Sequence, residues 1–543
     1  MVFARRSTTL LAAIIASCAM VLSLTACTSD NKTVVDGQTT VTSNSAGGVA
    51  VFTPSDGITL NQQTPLNKWA KLVPDLAKAL ADAGFKKGDI DHTTSDSLAK
   101  QSRAIQDFVV DHLSNNTTDD SGIAIAPDNM TLLVAPVVEA DASTRQYGDY
   151  ISQNLSTNDA TDEGATSDGE SSEDDSSKDD SSNTESDSTA SDEQAQAVDR
   201  LVSSLKLAKE SGMHVVLLGN SIEGYKPDAF VKFSDAQTIG KLQAEKMVSK
   251  LKLDKASKDN PKYIEVLLPY TAMDEKGNAN DSTFAQEAFR GIWQVLGSYY
   301  QKGVVESPSG TLDGKSTEND WQAVAYDAAK EGSTAKVLDK RLAKTDGQST
   351  LTRIDGIITM NDYIASEVVK ELDDLGYTGS AADINPQITI SGIVGNITGK
   401  KDLSRDAVPD PIKSPENDNA NDSSSSDDDA DEDTSASDKD RDSQWPLVTG
   451  YGAYVSNIPS IVNGKQWMTG MEDRQTIATD IAQACAKLNK DEALNSMPSI
   501  RNSEVGGVKK IPTISEPLLA VSASNLKSAL IDPGYISLAD AGL

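Results

Sequence analysis

The chain has 543 residues, a formal net charge of −33 and 82 acidic residues against 49 basic ones. That length leaves room for about two or three domains, and the charge argues against nucleic acid as a partner. Three cysteines cannot build a disulfide framework, and His92, His112 and His214 are too widely spaced to form a metal motif.

Residues 159–193 hold 14 acidic residues against one lysine, and residues 416–442 hold 12 against two basic ones. About two-thirds of the imbalance therefore sits in two Ser/Asp stretches too poor in apolar residues to form a core, and disordered inserts are expected over 156–195 and 400–444. Calcium loops are a weaker reading, because the Gly and terminal Glu of an EF-hand are missing. No P-loop, nucleophile elbow or HExxH motif is present, so neither catalysis nor a cofactor is expected.

At the N-terminus Arg5 and Arg6 precede an apolar run from Leu10 to Leu22, too short to span a bilayer comfortably and flanked like a secretion signal. Leu24-Thr25-Ala26-Cys27 then looks like a bacterial lipobox, with cleavage after residue 26 and lipid on Cys27. An ordinary signal peptide with an incidental cysteine is the alternative. Residues 27–48 read as a flexible tether. Cys485, left without a partner in the pattern Ile477, Ile481, Ala484, Leu488, reads as a small core residue.

Val49–Thr53 is the first strand candidate. A helix begins near Trp69 and ends at Gly84, with Pro74 expected to break or kink it. Ser95–His112 reads as a helix, Ile123–Ala126 as a strand, Leu132–Val138 as the start of a helix, Ala197–Glu210 as a helix and Met213–Leu218 as a strand ending at Gly219-Asn220. A second series runs through helix Ile239–Leu251, strand Tyr263–Leu268, helix Phe284–Leu296 and helix Trp321–Lys330. The clearest unit follows: a buried strand through Ile354, Ile357, Ile358 and Met360, then a helix carrying Ala365, Val368, Val369, Leu372 and Leu375 before Gly376. Asn361 and Asp362 form the turn between them, at the carboxyl end of a strand where open α/β sheets bind ligands. Either residue could equally serve as a helix cap. Gln387–Ile393 and Pro446–Thr449 are strand candidates, Ile477–Leu488 is the last long helix, and Ile511–Val521 is extended.

Strand and helix alternate throughout, so the fold class is α/β, with two doubly wound parallel-sheet lobes. The expected division is lobe I over 49–232, lobe II over 233–470, and a return to lobe I over 471–543.

With secretion and a lipid anchor, this organisation resembles the substrate-binding lipoproteins of bacterial ABC sugar importers, the xylose and multiple-sugar branch of the type I periplasmic binding proteins. The similar residues are Lys68-Trp69 with the helix ending Ala83-Gly84-Phe85, Ile123-Ala-Ile-Ala-Pro127, Val215-Val-Leu-Leu218, and Phe233-Ser-Asp235 with Gly240 and Gln243-Ala244. Asn361-Asp362, Trp445-Pro-Leu-Val-Thr-Gly450 and Ile531-Asp-Pro-Gly-Tyr535 complete the series. The resemblance implies a three-strand hinge, a C-terminal hinge strand, a monomer, an ABC permease partner and a sugar or glycoside held between the lobes. Trp69 would stack on the ligand, and Asn220, Asp362 and Asp473 would hydrogen-bond it.

The family's sugar contacts are largely replaced here. Gly219-Asn220 stands for Asp-Arg, Phe284 for Asn, Tyr451-Gly452 for Gln-Asp and Glu472-Asp473 for Lys-Asp; an alignment through Ser391-Gly392 would instead give Ile393-Val394. Trp69 and Asp362 survive. Losing buried sugar partners at about 1–3 kcal/mol each would abolish ordinary aldose affinity. A pocket diverged toward aromatic residues, with Tyr451 among them, is the expectation, although such aromatics could equally be core. The rival is a ligand-sensing or cell-wall interaction lipoprotein that keeps the fold without feeding a transporter.

Overall fold

The computed structural model describes residues 33–35, 38–40, 46–55, 65–115, 125–138, 144–157, 184–271, 282–328, 330–343, 351–381 and 445–543. The leader, Cys27, most of both acidic stretches and Gln387–Ile393 lie outside them. Thr33–Val35 and Gln38–Thr40 pair antiparallel within a first unit ending at Asn44. Everything below concerns the second unit, Ser45–Leu543.

The first lobe is built on a seven-stranded sheet. Its elements in chain order are β1 (Gly48–Pro54), α1 (Trp69–Asp82), β2 (Ile90–Ser95), α2 (Leu98–Asn115), β3 (Met130–Val134), α3 (Thr184–Glu210), β4 (His214–Leu218) and β5 (Ala229–Lys232). The second lobe continues with α4 (Ala236–Leu251), β6 (Lys262–Val266), α5 (Thr283–Gln301), β7 (Val305–Glu306), β8 (Gly356–Ile358), α6 (Asp362–Asp374), β9 (Leu447–Tyr451) and β10 (Met468–Met471). The chain then forms α7 (Arg474–Leu488), β11 (Ile500–Val505), β12 (Val508–Ser515) and β13 (Leu519–Ser522).

Strand order in the first sheet is β11-β12-β5-β4-β3-β1-β2, and in the six-stranded second sheet β7-β6-β8-β9-β10-β13. All pairings are parallel except β11 with β12 and β10 with β13. The chain passes between the sheets three times: from β5 to α4, from β10 to α7, and from β12 to β13. These short passages form the three-strand hinge, and strands running parallel with helices between them demand this doubly wound arrangement.

Side chains of β1 alternate between two cores. Val49 and Val51 pack with Trp69, Leu72, Leu76 and Leu80 of α1 and Ile477, Ile481 and Cys485 of α7. Ala50 and Phe52 pack with Ile105 of α2 and Leu201 and Leu205 of α3. A sheet covered on both faces needs apolar residues at every position, which is why β1 reads as a continuous apolar run.

Four expectations are corrected. Pro74 lies inside an unbroken α1, because Leu72, Leu76 and Leu80 bury one stripe against the sheet and outweigh one lost backbone hydrogen bond. The central strand is Met130–Val134, with all five residues buried, while Ala126 is its lead-in across the turn Pro127–Asn129. Two apolar runs flank that turn, and the second completes the ladder between β1 and β4. Helix α3 starts at Thr184, within the acidic stretch expected to be disordered. After Trp321–Val324 the chain turns into strand Ala325–Asp327, which pairs with Leu268–Tyr270.

Candidate functional site

The turn between β8 and α6 shows how the sequence builds the cleft edge. Asn361 caps α6, its Oδ1 accepting from the Ile364 N–H at 2.9 Å. Asp362 is fully buried and ties three loops together. Its Oδ2 accepts from the Tyr454 N–H at 2.9 Å and the Thr469 hydroxyl at 2.8 Å, and its Oδ1 from Gln466 Nε2 at 2.7 Å. Burial pushes its carboxyl up to about 6, against the opposing pull of these donors. Gly450 is required beside it, since a Cβ there would lie 2.1 Å from Oδ1. In this arrangement Asp362 spends its acceptors on the fold.

The space between the lobes is entered by residues 144–151, which follow β3 on the first lobe. Asn361 Nδ2 donates to Gln146 Oε1 at 3.0 Å, and the Tyr454 hydroxyl donates to the Gln146 carbonyl at 2.7 Å. Tyr147 is buried against Phe284, ring centroids 4.6 Å apart, and lies 6.2 Å from Tyr451; with Ile151 it belongs to the apolar core of the second lobe. Asp149 fixes the segment to its own lobe by pairing with Lys68 Nζ at 2.7 Å and capping the Trp69 N–H at 3.1 Å. The Tyr150 hydroxyl donates to the Lys68 carbonyl at 2.5 Å.

Trp69 stands at the start of α1, facing this segment, but is only 3 % exposed. Tyr150 and Phe233 meet its ring edge-on at 5.0 and 5.7 Å. Asn220 follows β4, accepts from the Gln153 N–H at 3.0 Å and donates to the Pro136 carbonyl at 2.9 Å. It thus positions the loops after β3.

Tyr451, Ser234 and Glu472 meet where the hinge passages cross. The Ser234 hydroxyl and N–H donate to Glu472 Oε1 at 2.5 and 2.6 Å, and the Tyr451 oxygen lies 2.5 Å from Ser234 Oγ. Ser234 has one hydroxyl proton, so when it gives this to an ionised Glu472, Tyr451 donates to Ser234. Burial raises Glu472 to about 7, with Ser234 pulling the other way, and burial beside this carboxylate raises the Tyr451 phenol well above its ordinary range. Asp473 caps α7 through the Thr476 N–H at 3.2 Å and stands outside this cluster.

The structure therefore gathers Asp362 and Tyr451 at the carboxyl ends of the second sheet, Trp69 and Asn220 at those of the first, and Asp473 at the hinge. Gln146, Tyr147, Tyr150 and Tyr454 were missed by sequence reasoning. The Tyr-Gly-Asp-Tyr pattern at 147–150 is the signal that could have found them. A hollow lined by Leu488, Leu494, Ile500 and Pro512 lies near the end of α7, apart from these loops. Among the described residues, no group of three or more His, Cys, Asp or Glu could hold a metal ion, and no helix is long and apolar enough to cross a membrane.

No family model matches the chain, and no curated protein matches its sequence. Among solved structures, it is similar to an ABC transporter solute-binding protein from Clostridium phytofermentans with bound β-D-glucose, at 17% identity over 91% of this chain and 99% of that one, with a TM-score of 0.44. A carbohydrate transporter solute-binding protein from Chloroflexus aurantiacus in complex with D-glucose matches at 18% identity over 92% and 98%, with a TM-score of 0.42. A periplasmic ribose ABC transporter structure from Conexibacter woesei matches at 13% identity over 90% and 96%, with a TM-score of 0.41.

Proposed function

We propose that the chain is a lipid-anchored, extracytoplasmic solute-binding protein of a carbohydrate-type ABC importer, acting as a monomer without cofactor or catalysis. One observation carries the reading. Of the residues that meet across the two lobes, Asn361, Tyr451, Tyr454, Ser234 and Glu472 lie at or just beyond the carboxyl ends of parallel strands, beside two of the short hinge passages, and Gln146 lies on the segment that follows β3. That is where open α/β sheets bind small molecules, and hinge closure is how such a pair of lobes reports a ligand to a permease. The leader and the Cys27 lipobox support the extracytoplasmic face of the cell membrane as its location. The ligand would be a glycoside larger than a simple aldose, because aromatic rings, amides and phenols line the cleft while the carboxyls there, Asp362 and Glu472, are committed to Tyr454, Gln466, Thr469 and Ser234.

The second reading, a sensing or cell-wall interaction lipoprotein, is favoured by the cleft's being filled with the chain's own side chains. Calorimetry with oligosaccharides, followed by reconstitution with a candidate permease and its ATPase, separates the two. Saccharide binding that stimulates ATP hydrolysis supports the importer. Saccharide binding without that stimulation favours the rival, and no saccharide binding by any route sinks the carbohydrate reading.

A further inference from the structure

We propose that Thr144–Ile151 is an autoinhibitory strap: a stretch of the first lobe that occupies the cleft as an internal ligand and must withdraw before a solute can enter. This rests on the reading of the cleft as a solute site. The argument begins with what the strap touches. Gln146 offers the second lobe two acceptors, its side-chain oxygen to Asn361 and its carbonyl to Tyr454, at 3.0 and 2.7 Å. Those are a neutral amide donor and a neutral hydroxyl donor, suited to a ligand's ether, hydroxyl or carbonyl oxygens. Tyr147 adds a ring against Phe284, as a sugar or aglycone face would.

The polar fit is also incomplete. Tyr147 is 1 % exposed, and its hydroxyl lies beside the Asn361 side chain without a well-formed hydrogen bond. Asn67, whose backbone and Cβ lie under Gly148, likewise has a buried Nδ2 without a hydrogen-bond partner. Buried polar groups left unmade weaken a closed state relative to one that satisfies them, so the strap can be outcompeted. Gly148 is what lets it dock. Its φ is +98°, and a Cβ there would lie 2.6 Å from the Asn67 carbonyl oxygen.

Two variants remove the first-lobe seat that holds the strap in the cleft, while keeping its cleft-filling side chains. Gly148→Val introduces the Asn67 clash; Asp149→Ala removes the tie to Lys68 and the Trp69 N–H, and stands in if the first fails to fold. The full-length chain is followed by hydrogen exchange over 144–151 and by hydroxyl-radical footprinting of Trp69, Phe284 and Tyr454, with circular dichroism confirming the fold. In the wild type the Tyr147 and Asp149 amides are protected by the Thr144 and Asn67 carbonyls. Release should raise exchange there, and labelling at Phe284 and Tyr454, by about tenfold. Free exchange of those amides in the wild type, or unchanged labelling at Phe284 and Tyr454 in a folded variant with a released strap, would overturn the proposal. Maltotriose, added as a probe, should suppress the new labelling in the released variant. Its failure to do so, with labelling risen, counts against the carbohydrate reading and leaves the strap established.

Discussion

Ser234 and Glu472, 238 residues apart in sequence, are joined by two hydrogen bonds at 2.6 and 2.5 Å between the first and second hinge passages. Glu472 is buried, and burial raises it from an ordinary value of 4.5 to about 7, against the pull of Ser234 and Tyr451. A raised carboxyl means that the folded state holds more protons than the unfolded chain between those values. Its contribution is therefore complete below about pH 4.5 and is lost as pH rises to about 7, amounting to roughly 3 kcal/mol at most. Glu472→Gln keeps an acceptor for Ser234 without the charge, so its melting temperature should fall less than that of the wild type over this range. Parallel pH profiles from calorimetry would show that Glu472 does not titrate there.

Asp362→Ala should destabilise the chain in the absence of any ligand. It leaves the buried Tyr454 N–H without its acceptor, at about 1–3 kcal/mol, and removes one of the bonds of the Thr469 hydroxyl and of Gln466 Nε2, which keep the Gly470 and Met468 carbonyls. Chemical denaturation is the measurement. A stability within about 0.5 kcal/mol of wild type, combined with loss of ligand binding, would return Asp362 to the cleft as a contact residue.

How much of this was legible in the sequence differs between sheet and site. Strand β8 and helix α6 were readable because a double-faced apolar run gives way to a 3.6-residue stripe at Asn361. Strand β3 was misplaced because the apolar runs on either side of Pro127-Asp-Asn129 look alike locally, and only the ladder between β1 and β4 chooses between them. Asp362 was visible as a residue but not in its role, since the bonds that bury it come from Tyr454, Gln466 and Thr469, 92, 104 and 107 residues away. The strap has no periodicity at all; only Gly148 between two tyrosines marks it.

Gly291→Ala tests the packing of the second lobe. Helices α4 and α5 approach so closely that a Cβ on Gly291 would lie 2.0 Å from the Gln237 carbonyl oxygen, and one on Gly240 would lie 2.2 Å from that of Ala288. Backbone cannot yield as a side-chain tip can, so each alanine should cost about 1–3 kcal/mol. A melting temperature unchanged by Gly291→Ala would mean that the helices can separate freely.

With the lipid anchor proposed for Leu24-Thr-Ala-Cys27, Cys27→Ala should move the protein from the membrane fraction to the soluble or unprocessed pool, because the lipid would need the cysteine thiol. A processed mutant that still requires detergent for release would count against lipidation.

Simple aldoses should bind weakly or not at all. Gly219 and Gly452 bring no side-chain donors or acceptors to the cleft, while Glu472 spends its Oε1 on Ser234 and Phe284 packs on Tyr147. A pentose or hexose would find Trp69 covered by Tyr150 and Asn220 committed to Gln153 and Pro136. A larger glycoside can spread over Phe284 and Trp69 once Tyr147 and Tyr150 move off them, gaining about 25 cal/mol per Å² of apolar surface to offset the opening. A ligand at one hundred times its dissociation constant would add about 2.7 kcal/mol of stability, enough to read as a shift in melting temperature. The panel is xylose, glucose, galactose, maltotriose and aryl glycosides, with calorimetry on each hit. Micromolar binding of any of the three monosaccharides would overturn the diverged cleft, whereas a response confined to the larger glycosides, reduced by Phe284→Ala, is the expected result.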